Sequence, residues 1–336
     1  MKANRGQILD RQTDNSRALY VMKAFAILFV VFAHCVYREP PMVQKITELL
    51  GIIAVPIFLM ISGIFFKAEE PGRSFWKKKF KGLVVPWLIW GVVTYFIAVV
   101  LGRPCGLLEM LRWCIGHGTW LYYVTILLFY YVVFRAIKWR GTPYVMIAIW
   151  IVSNVLDVFE LNLISNAIGD HLNAFSRIGF FAIGVLLGRF GILKWQPPRL
   201  WAKIVFPVTA VGAGVLVVAF DETPVEVYLL RLFFVMLACV SLFICSQGMS
   251  DCRLLQNVGQ QTYLIYFLHM QLGIGLAGKL IGLFSLPTIA NWGILVVQPV
   301  LVVSLVYTGI IVLDLILTKL RLEKYEWIIG MRHLEK

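Results

Sequence analysis

Most of the sequence consists of apolar blocks of about twenty residues, the length that an α-helix needs to cross the hydrocarbon core of a bilayer. Of the 336 residues, 60% are hydrophobic and 15% are charged, whereas about a quarter of the residues of a soluble domain are charged. The blocks therefore predict a membrane protein with several spans. They exclude a soluble enzyme, a secreted disulfide-rich scaffold and a disordered protein.

Ten of these blocks qualify as transmembrane helices, and the connections between them are too short to hold a soluble domain. Backbone groups in lipid must satisfy their own hydrogen bonds, which favours an α-helical bundle. The strands of a β-barrel would be shorter and would alternate apolar with polar residues. The predicted fold class is an all-α polytopic membrane protein with ten transmembrane helices. The helices are predicted near 19–37, 46–66, 82–101, 119–137, 143–160, 173–189, 201–220, 226–247, 262–284 and 292–318.

Lysine and arginine, which give the chain a net charge of +13, are concentrated in both terminal tails and in every second connection. Because they flank apolar blocks, they indicate membrane topology and contact with lipids, and we expect no nucleic acid as a partner. The positive-inside rule places both termini in the cytoplasm, which requires an even number of spans. The predicted organisation is a basic cytoplasmic tail at 1–18, one transmembrane domain at 19–318 and a second basic cytoplasmic tail at 319–336.

The six cysteines show no CxxC motif and no spacing typical of metal ligands, so we expect no metal site. Most lie in or beside apolar blocks, which favours packing roles. Cys105 and Cys114 share one connection, where a disulfide is the less favoured alternative. The chain has no phosphate-binding or dinucleotide-binding glycine motif, so neither nucleotide hydrolysis nor hydride transfer is indicated.

Two ionisable residues of the first predicted helix are candidates for function, because such residues are expensive at bilayer depth. Lys23 and His34 are eleven residues apart, close to three helical turns, so they share one face at about 16 Å along the axis. Lys23 lies near the cytoplasmic end and His34 near the outer end. Singly, they could be a snorkelling lysine and a packing histidine. Their common face favours a functional pair.

Three more charged residues lie near the outer ends of predicted helices. Glu48 begins the second helix near the depth of His34, where a carboxylate could orient an imidazole and raise its basicity. Arg177 and Arg231 lie inside the sixth and eighth helices and could bind an acceptor substrate. Each residue has a structural alternative, an ion pair. The alternative partners are Lys45 or Arg38 for the glutamate, and Asp157, Asp170 or Glu226 for the arginines.

Two further groups lie in the ninth helix and before the third. Tyr266 and His269 are three residues apart and therefore neighbours on one helix face. A histidine in an apolar helix needs a partner or a cavity, and a packing role is the alternative. The basic run 77–81 precedes Pro86 at the cytoplasmic start of the third helix. This run is either a solvated positive-inside cluster or a docking site for the phosphates of a cytoplasmic cofactor.

Six segments in sequence order resemble those of the integral-membrane acyltransferase family often called acyltransferase 3, which includes bacterial surface-polysaccharide O-acetyltransferases. Lys23 to His34 resembles the family's basic residue, ten-residue spacer and histidine. The other segments are 55–66, the basic run into a proline at 77–87, Trp120 at the start of the fourth helix, 180–189 and 258–269. Each segment alone is weakly specific, but the ordered set is strong and covers residues 17 to about 318.

The chain also departs from the family pattern. Many members have arginine where this chain has Lys23, and an acidic residue where it has Tyr20. The run before the third helix contains lysine where the family has arginine. Lysine is a point charge without the planar fork of arginine, so contacts with the donor carry over less directly.

The resemblance implies transfer of an acyl group, usually acetyl, from cytoplasmic acyl-CoA to a hydroxyl on an extracytoplasmic or lipid-linked sugar. His34 would be the catalytic base or acyl relay. The candidate role of Glu48 beside it rests on its position in the sequence and not on the resemblance. We expect acetyl-CoA as the donor substrate, no permanently bound cofactor, and a location in the bacterial inner membrane. The residues expected near the donor's phosphates are Lys23, Lys79 and Lys81. The candidate substrate-binding residues are Trp120, Arg177, Arg231, Tyr266 and His269.

Two functions without catalysis stay open at this point. The first is a transporter or flippase for a lipid-linked sugar, and the second is a non-catalytic partner of a synthase. A transporter of this kind often has short helices broken by glycine or proline at corresponding places in two halves. The sequence shows no such symmetry.

Overall fold

The computed structural model describes residues 2–35, 41–137, 139–195, 201–220, 224–282 and 291–332. Within these ranges every regular element is a helix and none is a strand, which confirms the all-α fold class. The α-helices are α1 (Lys2–His34), α2 (Pro41–Ile64), α3 (Gly72–Lys79), α4 (Val85–Val100), α5 (Leu107–Ile115), α6 (Tyr122–Ala136), α7 (Thr142–Val158), α8 (Leu163–Ile168), α9 (Ile178–Arg189), α10 (Ala202–Ala219), α11 (Pro224–Gly248), α12 (Arg253–Gln260), α13 (Thr262–Leu268), α14 (Gly275–Gly282) and α15 (Asn291–Lys319).

Two of the longer helical runs contain a π-helical turn. The first π segment, Phe80–Val84, joins α3 to α4, and the second, His269–Ile274, joins α13 to α14. Short 3₁₀ helices follow α9 at Ile192–Lys194 and α15 at Glu323–Ile329. π-helical turns are rare in proteins, and those that occur are often found at functional sites. Both segments are therefore candidates for the functional site.

All ten predicted segments contain helix, and six described stretches are long and apolar enough to cross a membrane. α6, α7 and α9 are apolar but shorter. The count of ten spans and the cytoplasmic termini therefore stay predictions. The six stretches are Asn15–His34, Lys45–Ile64, Gly72–Val100, Ala202–Ala219, Leu229–Gly248 and Val297–Lys319.

The described chain divides into two compact units. Unit 1 comprises Met1–Phe66, Pro143–Leu161 and Arg177–Gln260, and unit 2 comprises Lys67–Thr142, Asn162–Ser176 and Gln261–Lys336. The predicted tail 1–18 continues α1 as helix, and its Asn15 is buried with only 5% exposure. The Asn15 side chain donates to the carbonyl oxygens of Leu193 and Trp195 at 3.0 and 2.9 Å, so packing begins before residue 19.

In unit 1, glycines let the helices approach closely. A Cβ on Gly63 would overlap the backbone of α9, and one on Gly184 would overlap the backbone of Met60 in α2. Small residues at such contacts bring helix backbones together, which is how membrane helices gain packing without a hydrophobic driving force. The contact joins 55–66 to 180–189, two of the segments that carry the family resemblance.

In unit 2, the connection between the third and fourth predicted helices folds back along α4. The indole of Trp113 in α5 donates to Thr94 Oγ1 at 3.1 Å, and Cys114 packs against Gly91. α5 therefore packs against the middle of α4, and α6, which follows it, is 15 residues long. Cys105 is exposed and Cys114 is buried, and both are free thiols, so the disulfide alternative does not hold.

Candidate functional site

The predicted site residues divide between the two units. Unit 1 holds Lys23, His34, Glu48, Arg177 and Arg231. Unit 2 holds Lys79, Lys81, Trp120, Tyr266 and His269. Within the described ranges, no three His, Cys, Asp or Glu side chains lie close enough to share a metal ion.

Lys23 and His34 both lie on α1, which is unbroken between them, and both side chains are half-buried. The Lys23 ammonium is 5.3 Å from the ring centroid of Tyr20, within range of a cation–π contact. The tyrosine that replaces the family's acidic residue therefore supplies an aromatic face to the same lysine.

His34 and Glu48 lie where α1 and α2 come close together. A Cβ on Gly51 would be 2.7 Å from the Cβ of Ala33, so the two helices touch at this level. His34 follows Ala33 directly, and Glu48 precedes Gly51 by about one turn and is exposed. The C-terminal end of α1 thus lies beside the middle of α2, and Glu48 lies about two turns inside α2, whereas the sequence predicted it at the start of the helix. The role of the carboxylate stays a prediction.

The two arginines have different settings. Arg177 lies at the N-terminal boundary of α9 and is half-buried, so the predicted helix near 173–189, which contained Arg177, was wrong at its start. A cation there gains nothing from the helix dipole, so capping does not explain it. Arg231 is exposed within α11. The substrate-binding roles of both residues stay predictions.

Trp120, Tyr266 and His269 form one buried cluster in unit 2. The Tyr266 hydroxyl donates to the carbonyl oxygen of Trp120, and His269 Nδ1 is 2.7 Å from the Tyr266 carbonyl oxygen. The ring centroids of Trp120 and His269 are 6.1 Å apart, and His269 is fully buried. The sequence predicted Tyr266 and His269 as neighbours, and the tertiary structure adds Trp120 to them.

Polar residues that the sequence analysis missed lie beside this cluster. Gln271, in the second π segment, donates to the Thr94 carbonyl oxygen at 2.8 Å, while the Thr94 hydroxyl accepts from Trp113. The Trp113 and Trp120 rings meet edge to face at 5.5 Å. The signal was present in the sequence, since Thr94 and Gln271 are polar residues inside apolar helices, where such residues are often functional.

Trp120 retains one unused hydrogen-bond donor. The residue is 8% exposed, and its indole Nε1 is buried without a hydrogen-bond partner in the part of the chain that the structure describes. Buried polar atoms are normally paired, and each exception requires an explanation. The indole N–H of Trp120 is therefore a candidate contact for a bound molecule.

Three lysines of the basic run 77–81 differ in the side chains that they contact. Lys78 pairs with Glu70 at 2.5 Å, and hydrogen bonds from Lys78 and next from Ser74 hold the pKa of the Glu70 carboxyl below its usual range. Lys79 lies 4.1 Å from the ring centroid of Tyr131. Lys81, in the first π segment, lies 5.0 Å from the ring centroid of Trp327.

Arg135 lies beside this run and was not among the predicted site residues. Its guanidinium is 5.1 Å from the ring centroid of Phe75 and donates to the Ala68 carbonyl oxygen at 2.5 Å. Lys79 is 5.4 Å from the same Phe75 ring. Two cations on different helices thus lie at one aromatic side chain, an arrangement that sequence spacing alone does not reveal.

The apolar helices define a multi-pass membrane protein. The buried cluster of Trp120, Tyr266 and His269 and the basic run 77–81 are its candidate polar sites. The chain belongs to the acyltransferase 3 family, because the family model described as an acyltransferase domain matches residues 17–315. The match confirms the resemblance seen in the sequence and makes the protein a membrane acyltransferase. Comparisons with curated proteins and with solved structures gave no match.

Proposed function

We propose that the protein transfers an acetyl group from cytoplasmic acetyl-CoA to a hydroxyl of a cell-surface or lipid-linked glycan at the bacterial inner membrane. The observation that carries this proposal is α1, one continuous helix within the matched region that holds Lys23 and His34. The eleven residues between them correspond to about 16 Å along the helix axis. His34 ends α1, and Lys23 lies about three turns before it, inside the stretch Asn15–His34. This separation along one helix suits a reaction between groups held at different depths of a membrane.

His34 is proposed as the general base. Its imidazole removes the proton of the sugar hydroxyl, the oxygen attacks the acetyl carbonyl of the thioester, and the CoA thiolate leaves and takes up a proton. Imidazole suits this role because it exchanges protons readily near neutral pH. If His34 instead carries the acetyl group as a relay, its nitrogen attacks the thioester and expels the CoA thiolate. The sugar oxygen then attacks the acetyl-imidazole, the histidine is released, and the hydroxyl proton passes to the CoA thiolate. Glu48 is proposed to orient the imidazole.

The remaining candidates are proposed to bind the substrates. Lys23, Lys79 and Lys81 are proposed phosphate contacts for the donor, and the aromatic faces beside them hold their ammonium groups in place. The free indole N–H of Trp120 supports a substrate-binding role for its cluster. The cluster comprises Trp120, Tyr266 and His269. Arg177 and Arg231 are further proposed contacts for the acceptor.

The first experiment is mass spectrometry of surface glycans from cells with the wild-type protein, with His34→Ala, and without the protein. We expect an acetyl increment with the wild type, and at least about 100-fold less of it with His34→Ala, because removal of a general base costs this much or more. His117→Ala is the matched control, since His117 is an exposed histidine in a loop of unit 2. Full acetylation by inserted His34→Ala protein would exclude the proposed mechanism.

The same experiment tests the transporter alternative. If glycan masses do not change but glycan export falls in cells without the protein, the protein moves the glycan and does not acylate it.

A further inference from the structure

The C-terminal segment 323–332 lies beyond the matched region 17–315, yet it packs tightly in unit 2. The indole of Trp90 in α4 donates to the carbonyl oxygen of Ile329 at 2.8 Å. The side chain of Gln261 donates to the Arg332 carbonyl oxygen and accepts from the Arg332 backbone N–H at 3.2 Å. The segment is thus attached to the start of α4 and to the residue before α13.

Gly330 shows how close this packing is. Its φ of +78° lies in the left-handed region that favours glycine, and an added Cβ would be 3.1 Å from both Pro86 and Tyr263. The neighbouring Met331 is 4% exposed and Glu326 is 5% exposed. A segment with these contacts is packed into unit 2 as an integral part of its fold, whereas the last residues of most domains are poorly ordered.

The segment meets the basic run at Lys81. The Lys81 ammonium lies 5.0 Å from the ring centroid of Trp327, which is itself 37% exposed. Lys81 belongs to the first π segment, which Tyr263 holds from α13 by donating to the Leu83 carbonyl oxygen at 2.6 Å. Both the backbone around Lys81 and its ammonium group are therefore held by residues far away in the sequence.

We propose that Trp327 is a positioning residue for the acyl-CoA donor, and that its indole face holds the Lys81 ammonium where the donor's phosphates bind. A free lysine side chain loses rotamer entropy when it binds a ligand. An aromatic face that already orders the side chain reduces this cost and so tightens binding. The proposal rests on the proposed function, because it takes the phosphates to be those of acyl-CoA.

The test uses the full-length protein in nanodiscs, with acetyl-CoA and with S-acetylpantetheine, a donor that has no phosphate. Trp327→Ala should raise the KM for acetyl-CoA about twofold to fivefold, the ratio expected for an exposed cation–π contact, with kcat unchanged. Trp327→Phe, which keeps an aromatic face, should have a KM for acetyl-CoA close to that of the wild type. With S-acetylpantetheine, Trp327→Ala should match the wild type. Tyr325→Ala is the control, since Tyr325 is an exposed aromatic residue of the same segment.

A double-mutant cycle separates positioning from general packing. If Trp327 acts through Lys81, Trp327→Ala should add no penalty in a Lys81→Ala background. Additive penalties, or an equal penalty with both donors, would show that Trp327 only stabilises the fold, and would overturn the proposal while leaving the proposed function standing. Wild-type protein that neither binds acetyl-CoA by calorimetry nor transfers its acetyl group would overturn both.

Discussion

At the residue scale, the carbonyl oxygen and the indole N–H of Trp120 are in different situations. Its carbonyl oxygen accepts the Tyr266 hydroxyl, which ties the turn before α6 to α13. Its indole N–H is a buried donor without a partner among the described residues. The indole N–H of the neighbouring Trp113, in contrast, already donates a hydrogen bond to the Thr94 hydroxyl.

We therefore predict opposite outcomes for two tryptophan substitutions. Trp120→Phe should lower kcat/KM by about fivefold, since a neutral hydrogen bond contributes about 1 kcal/mol, and should leave thermal stability nearly unchanged. Trp113→Phe should lower the free energy of unfolding by about 1 kcal/mol, because it removes a bond formed within the fold. Thermal unfolding in detergent and steady-state kinetics measure both. Unchanged kinetics for Trp120→Phe would show that its N–H does not contact a substrate.

At the scale of elements, the contact between α2 and α9 depends on the absence of side chains. The backbones are so close at Gly184 that a Cβ would overlap the carbonyl group of Met60. α9 is only 12 residues long, and seven of these are buried, so this contact dominates its surroundings. The two family segments therefore stabilise each other through backbone proximity as much as through side-chain chemistry.

Gly184→Ala should lower the free energy of unfolding by about 1–3 kcal/mol, the usual cost of overpacking a tight contact. Gly212→Ala in α10 is the matched control, because no atom lies within 4 Å of the added Cβ. That change should leave the protein as stable or stabilise it by up to about 1 kcal/mol, since alanine favours helix over glycine. Equal Tm values for both variants would contradict the close contact.

At the scale of the whole molecule, the exposed free cysteine Cys252 distinguishes ten spans from six, and the exposed Cys105 is its reference. With a cytoplasmic N-terminus, Cys105 lies outside in both topologies. Cys252, in the turn after α11, is cytoplasmic with ten spans but extracytoplasmic if only the six longest helices cross the membrane. The six-span topology would also place Arg135, Arg140 and Lys194 outside, against the positive-inside rule.

We expect a membrane-impermeant maleimide to label a variant that keeps only Cys105 in intact spheroplasts. A variant that keeps only Cys252 should be labelled only after permeabilisation, because ten spans leave it in the cytoplasm. The measurement is the mass increment of the purified protein. Labelling of Cys252 in intact spheroplasts would show that the topology has fewer than ten spans.

Much of the fold was predictable because long apolar blocks leave a chain few choices in a bilayer. Each of the ten predicted segments contains helix, and the family emerged from Lys23, His34 and the ordered motifs around them. Local spacing also predicted that Tyr266 and His269 share a face. These features depend on residues close together in sequence, where hydropathy and helical periodicity are sufficient.

The tertiary structure alone decided which distant residues meet. It folded α5 back along α4, brought Trp120 to His269, and placed Trp327 on Lys81, 246 positions earlier in the chain. It also introduced the π-helical turns at Phe80–Val84 and His269–Ile274, which no propensity indicates. Hydropathy shows that a residue is buried but not which side chain covers it, since many packings bury the same apolar area. Contacts between distant residues are selected by shape and by hydrogen bonding in the assembled bundle.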